Sequence, residues 1–172
     1  MTKPTMIRRA TLAAALMSLA FPVSLALALD AKSLAGTYTT VSIVTTGTDG
    51  KKMEPFGPKP EGMTVFTSDG RYMSIVMKPG LPKFAANSRM AATGDEMKAV
   101  VDGSISHFGK YTVEGDAINF HIEHATYPNW DGTTQKREVA ALVGDDFVYR
   151  NTAPSSAVAN ADRSELAWRR VK

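Results

Sequence analysis

Residues 108–144 read FGKYTVEGDAINFHIEHATYPNWDGTTQKREVAALVG, and three runs of alternating residues are separated there by turn chemistry. Alternation of period two is the mark of a half-buried strand, so the stretch predicts an antiparallel meander. Glu114-Gly115-Asp116-Ala117 supplies a two-residue turn whose glycine tolerates φ > 0. With Glu114 opposite Ala117, Val113 opposes Ile118 and Tyr111 opposes Phe120. That register turns Tyr111, Val113, Ile118, Phe120, Ile122 and His124 toward the core, and Lys110, Thr112, Asn119, His121 and Glu123 outward. The third strand, from about Thr134 to Val143, is placed by its charges. Pairing Glu123 with Lys136 and His121 with Glu138 keeps them outside and sends Gln135, Arg137, Val139 and Ala141 inside. An inward arginine under an apolar wall is the main functional clue of the stretch.

The chain has 172 residues and no cysteine, which excludes disulfides, thiol catalysis and thiolate metal sites. Its start carries Lys3, Arg8 and Arg9, then an apolar run from Ala10 to Leu27 broken by Pro22 and ending Ala26-Leu27-Ala28. These are the charged, apolar and small-residue regions of a secretory signal peptide at 1–28, to be cleaved, with a membrane anchor as the rival reading. The domain is then 29–172, exported to the periplasm or secreted, with no membrane contact after cleavage. Three of the 20 basic residues lie in the leader, which leaves 17 against 17 acidic. The domain is neutral, so nothing suggests a nucleic-acid partner.

Thr39 to Thr46 is a β-branched first strand. The segment Lys51 to Gly62, with Pro55, Pro58 and Pro60, reads as an ordered loop at one end of the sheet. Met63–Thr67 and Tyr72–Met77 flank Asp69-Gly70, a type I′ hairpin signal. Thr93-Gly94-Asp95-Glu96 is a capping box opening a helix from about Gly94 to Ser106, with Met97, Val100, Val101, Ser104, Ile105 and Phe108 on the face toward the sheet. After the meander come Phe147–Asn151, a Pro/Ser/Ala-rich loop from Thr152 to Ala161, and a last strand through Leu166, Trp168 and Arg170. The sum is mainly all-β: about eight short antiparallel strands, with one helix inserted between the third and fourth. Eight such strands can close into a barrel, and a sandwich is the alternative.

Leu34-Ala35-Gly36-Thr37-Tyr38, Pro55-Phe56-Gly57, Asp69-Gly70-Arg71-Tyr72-Met73, Lys83-Phe84-Ala85, Gly94-Asp95-Glu96, Phe108-Gly109-Lys110-Tyr111, Tyr127-Pro128-Asn129-Trp130, Gly132, Arg137 and Ala167-Trp168-Arg169-Arg170 follow one another in an order that resembles the bacterial and fungal lipocalin-like domain proteins. The resemblance implies a small closed lipocalin-like barrel, with Tyr38 near its closed end in place of the usual Trp and Arg170 packed across that ring. It also implies a His pair before Pro-Asn-Trp, where this chain has Phe120-His121 with the phenylalanine inward.

Inside such a barrel the candidate ligand-binding residues are His107, Tyr111, Phe120, His124 and Arg137, with Asn129 and Trp130 at a rim. The competing structural reading pairs each of the polar ones within the fold. His121-x-Glu123 reads as a solvated, salt-bridged face and not as a metal site. No nucleophile elbow or phosphate cradle is visible, and no cofactor is implied. Three functions stay open: an exported protein binding a small, largely apolar molecule in the barrel cavity, anionic or carbonyl-bearing if Arg137 faces it; a cyclase or isomerase using Tyr111 or His107; and a structural or interaction module with a filled barrel. The residues do not speak to oligomeric state or name catalytic groups.

Overall fold

The computed structural model describes residues 29–152 and 160–172. The expected leader at 1–28 and most of the Thr152–Ala161 loop lie outside the described residues. Among those residues the strands are β1 (Gly36–Gly47), β2 (Lys52–Met53), β3 (Glu61–Phe66), β4 (Arg71–Met77), β5 (Ser104–Glu114), β6 (Ala117–Ala125), β7 (Thr134–Val143), β8 (Asp146–Asn151) and β9 (Ala161–Arg170), with helices α1 (Ala31–Leu34) and α2 (Gly94–Gly103). Sequential neighbours pair antiparallel from β3 to β9, β1 pairs with β3, and β1 pairs back with β9 from Tyr38–Arg170 to Gly47–Ala161. The sheet therefore closes, an eight-stranded antiparallel barrel with the two-residue β2 added on β1. Because β2 takes a place in the order, α2 follows the fourth strand and not the third.

The β5–β6 hairpin has the expected pairs, Glu114 with Ala117, Val113 with Ile118 and Tyr111 with Phe120, and Gly115 at φ +63° makes the turn. The Asp69-Gly70 turn differs from the type I′ expectation. Only Gly70 takes positive φ, and Thr67 closes the loop by bonding Arg71, the geometry of a three-residue hairpin loop. Strand β7 faces as its charges require, with Arg137 buried and Lys136 and Glu138 exposed, but it sits four residues along β6 from the expected pairing. Asn119 opposes Lys136 and Ala117 opposes Glu138. A bulge between Val139 and Ala141 then reverses the phase, so Leu142, opposite buried Phe147, packs on the core in place of Ala141.

Helix α2 starts on the expected capping box, Thr93 and Glu96 each bonding the other's backbone N–H. It ends at Gly103, three residues early, because Ser104 to Lys110 pair along the whole edge of β4. The ladder outweighs helix propensity there. Its apolar face is not on the sheet: Val101 is 75% exposed and Met97 is exposed as well.

One end of the barrel is sealed by α1. Leu34 is fully buried, the Tyr38 hydroxyl donates to the Leu34 carbonyl at 2.9 Å, and the Arg170 guanidinium lies 4.7 Å from the centre of the Tyr38 ring. Arg170 also donates to the carbonyls of Ser33, at 2.8 Å, and Ala35. Above this seal Phe66 is a hub, with Tyr38 and Phe120 at 5.9 Å, Phe147 at 6.0 Å and Tyr111 at 5.1 Å between ring centres. Edge-to-face packing of such rings fills the lower half of the lumen.

Candidate functional site

Above the aromatic layer the lumen is not filled. A cavity of about 100 Å³ lies among residues from β1, β4, β5, β6, β7, β8 and β9, with Phe120 and Trp168 next to the layer below. Period-two alternation puts these side chains there. Tyr72, Ser74 and Val76 are the inward set of β4, and Phe147, Tyr149 and Asn151 that of β8. Most of the wall is apolar. Its hydroxyls are paired: Ser74 bonds Thr64 behind the wall and Thr45 bonds Ser164, each at 2.7 Å.

Arg137 stands on this wall, 9% exposed. Its Nη1 donates to the Lys136 carbonyl at 3.0 Å and to Asn151 Oδ1 at 3.2 Å, and its Nη2 donates to Gln135 Oε1. Every one of these acceptors is neutral. Burial lowers the Arg137 pKa, and the neighbouring Tyr149 and Tyr72 partly offset that. His107 also lines the cavity, its Nδ1 2.8 Å from the Tyr72 hydroxyl and its ring perpendicular to Trp130. Burial, reinforced by the Arg137 cation, brings His107 down to about 4, so the imidazole is neutral at pH 7. Burial raises Tyr149 to about 12 against the pull of Arg137, and Tyr72 is raised as well. Among the described residues the buried Trp168 indole N–H has no acceptor in hydrogen-bond geometry, although its nearness to the Tyr149 oxygen favours the ionised phenol slightly.

The structure brings together His107, Phe120, Trp130 and Arg137 from the expected set. Three others lie elsewhere. His124 is exposed and 3.2 Å from Asp131, because a bulge at Glu123 opposite Phe108–Gly109 turns two successive residues of β6 outward. Tyr111 is inside but at the closed end, where its hydroxyl donates toward the carbonyls of Thr67 at 2.8 Å and Ala31 at 3.0 Å. Asn129 is exposed on the 3-10 turn Pro128–Trp130. On the outer face His121 lies between Thr112 and Thr134, and Glu123 pairs with Arg71 at 2.9 Å.

Sequence reasoning passed over Tyr72, Tyr149, Asn151 and Trp168. The signal was present in YMSIV and FVYRN, where polar or aromatic residues occupy alternate inward positions. It also passed over Phe56. Strand β1 leaves β3 beyond the Thr39–Met63 pair, and the proline-rich connection brings Pro55 and Phe56 to the cavity. Pro55, Phe56 and Ile105 line both this cavity and a wider groove of about 1070 Å³ bordered by Val100 and Val101 of α2 and by Tyr127. Buried Phe56 is thus part of the partition between the two spaces.

A closed barrel enclosing a mostly apolar cavity with a few convergent polar groups is the architecture of a small-molecule-binding barrel. The chain belongs to the lipocalin-like domain family, which matches residues 35–171. It is similar to the 4'-hydroxy-3'-methoxypropiophenone carrier protein of Aspergillus oryzae, 29% identical over 104 residues that make up 56% of this chain and 93% of that protein. The structure of a redesigned β-barrel matches with a TM-score of 0.41 and 16% identity, over 83% of this chain and 96% of that one.

Proposed function

We propose that this chain is an exported carrier that holds a small, largely apolar, oxygen-bearing molecule in the upper half of its barrel. The observation that carries this reading is the cavity of about 100 Å³ above the aromatic layer, with Arg137 among its apolar walls. Apolar surface buried there contributes roughly 25 cal/mol per Å², and the polar groups orient the ligand. A relative named as carrier of an aryl ketone with a phenolic hydroxyl supports an aromatic ligand bearing oxygen. The apolar run at Ala10–Leu27 with its small-residue end supports export.

The Tyr72–His107 pair is the feature that favours a proton-transferring cyclase or isomerase. An imidazole brought down to about 4 is a weak base at neutral pH, and this favours carriage. Native mass spectrometry of the protein purified from its producing cells tests the carrier reading. A copurifying small molecule is expected, and it is lost when Leu166→Trp fills the cavity. No adduct, together with no binding of aryl ketones, overturns it. Fractionation of the same cells should find the chain outside the cytoplasm and beginning after Ala28; full-length protein in the cytoplasm contradicts export.

A further inference from the structure

We infer that the cavity takes its ligand as an anion, an ionised oxygen on a one-ring apolar body, seated against the Arg137 guanidinium. The inference rests on the carrier reading and specifies what is carried. A buried cation is costly unless a counter-charge accompanies it. None of the chain's 17 acidic residues is buried, and all of them are among the described residues. No carboxylate among them lies within 4.0 Å of Arg137. The groups that hold the guanidinium in place, Gln135, Asn151 and the Lys136 carbonyl, are neutral acceptors.

A guanidinium has five N–H donors, of which these contacts use two on Nη1 and one on Nη2. The Nε–H and the second Nη2–H have no acceptor among the described residues. Two adjacent donors of this kind suit a carboxylate or a phenolate better than they suit a ketone.

The titratable groups facing Arg137 from the neighbouring strands do not supply the missing charge. Tyr72 of β4 and Tyr149 of β8 stay protonated, and His107 of β5 stays uncharged. Trp168 of β9 adds a further buried N–H, near the Tyr149 oxygen and without an acceptor in hydrogen-bond geometry among the described residues. The lining therefore holds one positive charge with no carboxylate against it. A space of about 100 Å³ is of the order of the apolar cavities that hold benzene, about 150 Å³. That limits the body seated beside the charge to about one ring.

The probe is 4-nitrophenol, whose ionised form has its own visible absorption, with 4-nitroanisole as its non-ionising methyl ether. Both are titrated into the purified chain over a pH series. The phenolate is expected to bind at least ~10-fold more tightly than the phenol, so the bound probe titrates about one unit below the free one. The shift should disappear in Arg137→Met and partly survive in Arg137→Lys. A bound probe that titrates at or above its free value, or 4-nitroanisole binding as tightly as the phenolate, overturns the anion inference and leaves the carrier reading standing. Binding of neither compound at any pH overturns the carrier reading, and this one with it. The comparison within the native chain needs no variant to fold.

Discussion

The Tyr72 hydroxyl lies 2.8 Å from His107 Nδ1, a diagonal contact between β4 and β5, since Ser74 is the residue opposite His107 and Gly109 the one opposite Tyr72. Burial keeps the phenol protonated, so a neutral hydroxyl and a neutral imidazole share this hydrogen bond. A neutral histidine packed this way makes the fold sensitive to acid. Between its ordinary value of 6.5 and about 4 the unfolded chain binds a proton that the folded chain does not. Stability is therefore complete above about 6.5 and falls as pH drops toward 4, by up to roughly 3 kcal/mol. Urea unfolding at a series of pH values should show this loss, and His107→Asn should flatten the profile in that window.

Gly109 sits where β5 faces the bulge in β6, and a Cβ there would lie 2.1 Å from the His121 carbonyl oxygen and 2.8 Å from the Glu123 nitrogen. Neither atom belongs to a flexible side chain. Gly109→Ala is expected to destabilise the barrel by about 3 kcal/mol or more, because the two strands must part. A thermal midpoint close to that of the native chain would mean that the bulge can relax.

Arg170 supports the closed end, far from the cavity. Arg170→Met removes the cation over Tyr38 and two bonds to carbonyls, and should cost about 2 kcal/mol in denaturant unfolding. Ligand affinity should stay within about twofold, since no residue of that cluster lines the cavity.

Phe56 partitions the cavity from the outer groove. Phe56→Ala should speed ligand release by about 10-fold in stopped-flow fluorescence, with a stability cost of about 3 kcal/mol. Unchanged rates would place the entry route elsewhere.

The barrel was legible where burial forces a choice. Lys136 and Glu138 cannot face the core, so the orientation of β7 and with it the inward position of Arg137 follow from charge alone. The partner of each residue does not. Sliding β7 by four residues keeps every side chain on its face and changes only its neighbours across β6. The Tyr127–Thr133 loop, which bonds Gly132 and Thr133 back to Ile122, decides that position. The bulges at Glu123 and Ala140 add one residue each without a mark in composition. They moved His124 outward and Leu142 inward. The cavity was harder to see, because its walls come from seven strands, the turn that carries Trp130 and a loop whose prolines speak against regular structure. Whether Tyr111 faces the ligand or the seal depends on height along the barrel axis, which alternation does not encode.

Both tryptophans of the chain, Trp130 and Trp168, line the cavity, so indole emission reports directly on its occupancy. Titration of the native chain with 4'-hydroxyacetophenone should quench that emission saturably at one ligand per chain. The effect should be lost in the cavity-filled Leu166→Trp variant, read by the backbone shifts of Phe120 and Arg137. Emission and shifts that stay flat to the solubility limit, or shifts confined to Met97 and Val101 on the outside of α2, would contradict binding inside the barrel.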